Sequence, residues 1–107
     1  MTELEAELLS QMSAAGLPAP ITEFQFHPFR KWKADMCYPE RKLIIEVMGG
    51  TYAHMGHSTG QGIHRDYEKA NEAQLLGYTY LQFDRQMIED GKALNTIKRS
   101  LYGKEGC

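Results

Sequence analysis

Apolar positions along this chain switch between a helical and an alternating period, and the switches mark seven elements. Residues 2–14 are helix formers with Leu4, Leu8, Leu9 and Met12 on one arc. Thr2 is placed as N-cap, Glu5 three positions on as its capping-box partner, and Gly16-Leu17-Pro18 as the stop. Residues 22–27 alternate Phe24 and Phe26 with Glu23 and Gln25, the period of a half-buried strand that Pro28 ends. Residues 33–38 and 42–48 follow as an antiparallel hairpin around Pro39-Glu40-Arg41, so the sheet begins as a meander. Residues 49–62 hold five glycines among Thr51, His54, His57, Ser58 and Thr59, too polar for a core element and suited to a functional loop. A second helix is expected over 63–76, closed by Gly77, then a strand over 78–83 and a last helix over 92–102. The order is α-β-β-β-α-β-α, an α/β (α+β) arrangement without repeats or linkers.

Composition narrows the class. A chain of 107 residues makes one domain, 1–107, able to bury roughly two thirds of its unfolded surface. With 42% hydrophobic and 24% charged residues it reads as a soluble globular chain. No apolar run approaches the roughly 20 residues of a membrane span, and no basic-then-apolar leader opens it, so no membrane partner and a cytoplasmic location are expected. Cys37 and Cys107 make no disulfide framework, which suits a reducing compartment. A net charge of −2 gives no overall pull toward nucleic acid, so such binding would need a local basic patch.

The chemistry concentrates in two acids inside strands. Period-two alternation puts Ile44, Glu46 and Met48 on one face of the third strand and Leu43, Ile45 and Val47 on the other. In the second strand Asp35 shares a face with Lys33 and Cys37, opposite Ala34, Met36 and Tyr38. A carboxylate among apolar neighbours is costly unless paired. Two on paired strands can share one hard cation such as Mg²⁺; alternatively Asp35 pairs with a nearby Lys or Arg and Glu46 caps its strand.

On the second helix, Ile63, Tyr67, Ala70, Ala73 and Leu76 spread over one side, Arg65, Glu68 and Glu72 over the solvated side, and Asp66 and Lys69 fall within the apolar arc. Such inward charges three positions apart form either a mutual salt bridge or part of a site. On the first helix Glu5 is the inward acid, where Glu3 and Glu7 project away.

The element order, with Asp in the second strand and Glu in the third, resembles the PD-(D/E)XK nuclease superfamily, the restriction-endonuclease-like fold, over nearly the whole chain. The array Phe26-His27-Pro28, Arg30, Trp32, Asp35, Glu46, Gly49-Gly50, Gly56-His57, Gly60, Gly62, Asp66, Lys69 and Asn71 resembles small phage and prophage endonucleases, similar in turn to very-short-patch repair endonucleases. The resemblance implies a central mixed sheet flanked by helices, and a metal, Mg²⁺ or Mn²⁺, held by Asp35, Glu46 and the Val47 carbonyl. It also implies hydrolysis of DNA phosphodiester bonds, in a host cytoplasm if the chain is phage-encoded. The family's lysine falls on Met48, whose thioether cannot orient water or stabilise phosphate charge. Lysines shifted to the following helix occur in the superfamily and match Lys69, with an ion pair to Asp66 as the other reading and Lys33 as the other lysine. Relatives carry a first-helix glutamate that completes the metal site, which Glu5 matches unless it serves only the capping box.

His54, His57 and His64 lack the paired cysteines of a zinc site. His57, inside Gly56-His57-Ser58-Thr59-Gly60, is placed instead to meet the phosphate or a water as a proton donor or acceptor. His27 before Pro28 is expected to be a structural hydrogen bonder. Arg30, Lys31 and Lys33, with the glycine-rich loop, are the expected DNA contacts, and Lys98, Arg99 and Lys104 form a second basic cluster; either set can equally be a solvated face. Trp32 and Tyr52 either stack on bases or belong to the core. So small a chain leaves specificity to loops, a homodimer or a partner protein. The expectation is thus a metal-dependent DNA endonuclease with Asp35, Glu46, Lys69, His57 and Glu5 at its centre. The alternatives are an inactive nuclease-fold module that binds DNA or a partner protein, and a junction resolvase.

Overall fold

The computed structural model describes residues 1–48 and 60–103. Residues 49–59, expected from the sequence to form a loop, with His54, His57 and Tyr52, and the terminal Lys104 and Cys107, lie outside the described residues. The elements are α1 (Glu3–Ala14), β1 (Ile21–Gln25), β2 (Lys33–Tyr38), a 3₁₀ turn (Pro39–Arg41) and β3 (Leu43–Val47). They continue with α2 (Gly60–Leu75), β4 (Thr79–Phe83), α3 (Arg85–Glu89) and α4 (Lys92–Tyr102).

Local chemistry accounts for the boundaries. The Thr2 hydroxyl accepts the Glu5 N–H at 3.1 Å, satisfying one of the unpaired donors at the start of α1. Gly77 takes φ +93° after α2, the left-handed conformation that a side chain would strain. Two helices depart from expectation. α2 begins at Gly60 rather than Ile63, because its glycines fall in the first turn, where the interior penalty on glycine does not apply. The short α3 was not foreseen; its sequence signal is Asp84, whose carboxylate caps the Met87 N–H at 3.0 Å.

The sheet order is β1-β2-β3-β4. β1 and β2 pair antiparallel from Ile21↔Cys37 to Gln25↔Lys33, and β2 and β3 from Met36↔Ile45 to Tyr38↔Leu43. β4 joins β3 in parallel from Leu43↔Thr79 to Val47↔Phe83, the return that a helical crossover permits. The sheet is therefore mixed and flanked by helices, as expected.

Its two faces are packed unequally. On one, Met36, Leu43, Ile45 and Phe83 meet Leu8 and Met12 of α1, Ile88 of α3 and Ile97 of α4 in the main core. On the other, Phe26, Cys37 and Ile44 meet little more than Ala73 of α2, with Trp32, Leu76, Tyr78 and Tyr80 at the margin. Ala34 joins this second cluster rather than the side of Met36 and Tyr38. The alternation breaks there because Glu23, facing it diagonally from β1, takes a left-handed φ of 54° and the ladder is interrupted opposite Asp35.

α2 is also turned from its expected setting. Tyr67 is 67% exposed and Asp66 is exposed, while Lys69, Ala73 and Leu76 face the sheet, at the spacing of one helical face. Glu68 and Glu72, expected in solvent, are half-buried. The cause is the neighbour: α2 covers a sheet face whose end is polar, so the helix turns its charged side toward it. Among the described residues no helix is long and apolar enough to cross a membrane.

Candidate active site

The β2–β3 hairpin is a regular ladder from Tyr38↔Leu43 as far as Met36↔Ile45, and there it stops. In the next positions the strands exchange side chain for backbone. The Asp35 N–H donates to Glu46 Oε2 at 3.2 Å, and the Val47 N–H donates to Asp35 Oδ2 at 2.8 Å. Each acid is thereby tied to the other's strand, and the backbone groups freed by the opened ladder are satisfied by carboxylate oxygens. Asp35 Oδ1 forms no hydrogen bond with any described residue.

Glu46 is 6% exposed. Lys69 reaches it from α2, its Nζ 3.1 Å from Glu46 Oε1 and donating also to the Lys33 carbonyl at 2.8 Å. Lys69 thus pairs with Glu46 rather than Asp66, and the ammonium stands beside the acid, where Met48, just past the end of β3, does not supply one. Lys33 contributes its carbonyl here. Even so, burial pushes the Glu46 carboxyl up to about 7, with Asp35 adding to the effect and Lys69 opposing it. One lysine does not supply all the positive charge that this pair of acids can use.

Glu5 is 9% exposed on α1, and its carboxyl is raised first by burial and next by the charge of Asp35. It stands close enough to feel Asp35. Among the described residues, though, no three His, Cys, Asp or Glu side chains converge on one point. Glu23, opposite Asp35 across the break in the β1–β2 ladder, also acts on Glu5. Glu23 is exposed, as a polar position in an alternating strand is expected to be, and its left-handed backbone is what sets it apart.

A second constellation lies at the β1–β2 connection. His27 Nδ1 accepts the N–H groups of Phe29 and Arg30 at 3.1 and 3.0 Å, so that nitrogen carries no proton, and Nε2 faces Glu72 Oε1 at 3.1 Å. His27 is therefore the structural hydrogen bonder expected, and its turn ends β1 two residues earlier than the alternation suggested. The Arg30 guanidinium lies 3.9 Å over the Trp32 ring and 3.3 Å from Glu68. Trp32 in turn stacks on Phe26, a core-margin role. The loop is held by named bonds, yet it leaves Phe29 88% exposed beside Arg30 and Lys31. Lys98 and Arg99 sit on α4, across the sheet from Lys69, so the structure does not bring that basic pair to the acids.

The donor set suits a hard divalent cation. Mg²⁺ is typically held by one or two carboxylates, the rest of its shell being water and substrate phosphate. Asp35 and Glu46 provide two carboxylates, and Asp35 Oδ1 has no hydrogen-bond partner among the described residues, in a place where burial disfavours negative charge.

No protein-family model matches the chain, and no curated protein matches it in sequence. Among solved structures it is similar to the homing endonuclease I-Bth0305I catalytic domain, with a TM-score of 0.68 and 22% identity over 94% of this chain and 94% of that one. At that identity the likeness is one of fold, and the sheet and its helices have a nuclease-like architecture.

Proposed function

We propose that the protein is a metal-dependent DNA endonuclease of the PD-(D/E)XK kind, with Asp35 and Glu46 as metal-holding acids and Lys69 as the lysine of the site. The observation that carries this reading is the cross-tied pair of acids with the Lys69 ammonium 3.1 Å from Glu46. A bound Mg²⁺ or Mn²⁺ would supply Lewis-acid polarisation of the phosphate and an acidified water. The Val47 carbonyl, whose N–H is already fixed by Asp35, would be a further oxygen donor.

The chain's own residues supply the rest. Asp35 and Glu46 hold each other in place through the opened ladder, so the ligand set is organised before substrate arrives. Lys69, anchored by the Lys33 carbonyl, presents a fixed positive charge where the phosphate gains negative charge as water adds. Arg30, Lys31 and Lys33 sit at the same end of the sheet and would neutralise backbone phosphates, with exposed Phe29 extending the contact surface.

The test is cleavage of supercoiled plasmid with Mg²⁺ or Mn²⁺ by wild type, Glu46→Ala and Lys69→Ala, each shown to be folded. Nicking or linearisation by wild type alone is expected. Binding of DNA without cleavage, unchanged in chelator and in Asp35→Ala, would instead identify a module that keeps the fold and has no turnover.

A further inference from the structure

Because β4 runs parallel to β3, Tyr80 and Gln82 project from the same sheet face as Ile44 and Glu46. Tyr80 pairs with Ile44, one step along the face from the Glu46↔Gln82 pair. Polarity rises along this edge. Tyr78 is covered by the Phe26 ring and by the Lys42 ammonium 4.4 Å above it, Tyr80 is half-buried against the second apolar cluster, and Gln82 is exposed. Tyr80 therefore stands where packing gives way to the acid site.

A phenylalanine would serve that packing equally well. The hydroxyl adds a polar group that is not a buried orphan: it forms no hydrogen bond with any described residue, solvent reaches it, and Glu46, Asp66 and Asp35 all act on it electrostatically. Burial and those charges hold the phenol in its protonated form, above its ordinary range. It is a neutral donor at the rim of a site whose other described donor, Lys69, approaches Glu46 from the β2 side through its bond to the Lys33 carbonyl.

We propose that Tyr80 is a further catalytic residue, its hydroxyl donating a hydrogen bond to a non-bridging oxygen of the bound phosphodiester. The proposal rests on the endonuclease reading above. A phosphate lying over Glu46 is met by a cation from the β2 side and by a neutral donor from the β4 side. The bond strengthens as charge develops on the phosphate oxygens, so its effect falls on turnover more than on ground-state binding.

Tyr80→Phe keeps the ring and removes only the donor. Steady-state cleavage of a short duplex with Mg²⁺ should show kcat reduced on the order of 10²-fold, the magnitude for loss of one oriented donor, with KM little changed. A duplex carrying a sulfur at one or the other non-bridging position of the scissile phosphate gives the decisive readout. Wild type should lose more rate than Tyr80→Phe on one of the two diastereomers, since sulfur weakens a bond that the variant no longer makes. That thio effect is a ratio within one sample, so a lower folded fraction in the variant leaves it unmoved. A wild-type rate in Tyr80→Phe, or equal thio effects in both proteins on both diastereomers, overturns the role of Tyr80 and leaves the endonuclease reading standing. Absence of cleavage by wild type overturns both.

Discussion

Replacing Glu46 by glutamine should make the metal-free protein more stable at alkaline pH while removing its proposed activity. Burial holds this carboxyl up to about 7, against an ordinary 4.5, with Lys69 offsetting only part of the effect. The folded protein therefore keeps the Glu46 proton to higher pH than the unfolded chain does. Its contribution to stability is fully present below about pH 4.5 and is lost as pH rises through about 7. At about 1.4 kcal/mol per pH unit, some 3 kcal/mol is gone by about pH 8. Glutamine cannot ionise and keeps that contribution. Its amide nitrogen, however, cannot accept as a carboxylate oxygen does, so either the Asp35 N–H or Lys69 loses a partner, at about 1 kcal/mol. The net expectation is a variant more stable than wild type by about 2 kcal/mol near pH 8, about 8 °C in melting temperature for a domain of this size, and less stable by about 1 kcal/mol near pH 4.5. Glu5, also raised, is common to both proteins and cancels in the difference. Urea denaturation in chelator across that pH range measures it directly. A difference between the two proteins that does not change with pH would refute the reasoning.

Added Mg²⁺ should raise the melting temperature of wild type more at pH 8 than at pH 5, since its ligands must be ionised, and should leave Asp35→Asn unmoved; equal shifts in both proteins would place the ion elsewhere. Lys69→Met should abolish plasmid nicking and move the pH dependence of wild-type stability upward, because Glu46 loses the charge that opposes its burial; an unshifted profile in urea titrations would contradict the pair. Phe29→Ala should change stability by no more than about 0.5 kcal/mol yet weaken binding to a labelled duplex in anisotropy measurements, since the ring is 88% exposed; unchanged binding would remove it from the interface. Ile45→Ala, wholly buried in the main core, should cost about 3 kcal/mol with the urea m-value unchanged, and a cost below 1 kcal/mol would mean that the core relaxes around the gap.

Local patterning accounts for much of this protein. Alternation alone put Leu43, Ile45 and Val47 on one face of β3 and Ile44 and Glu46 on the other, because a strand without an irregularity of the kind seen at Ala34 cannot turn one residue without turning the rest. The Thr2 cap, the hairpin and the last helix follow from short-range chemistry in the same way, and Asp35, Glu46 and Lys69 stood out because charge was out of place in an apolar pattern. What only tertiary structure decided concerns partners. The rotation of α2, which exposes Tyr67 and gives Glu68 and Glu72 to Arg30 and His27, depends on the polar end of the sheet it covers, and a helical wheel contains no information about its neighbour. The left-handed Glu23, the opened ladder that ties Asp35 and Glu46 to each other's strands, and the place of Tyr80 beside Ile44 and Glu46 all depend on contacts between residues distant in sequence. The amino-acid order determined which groups were available for chemistry. Packing decided which of them meet, because the cost of burying a charge is set by what stands beside it.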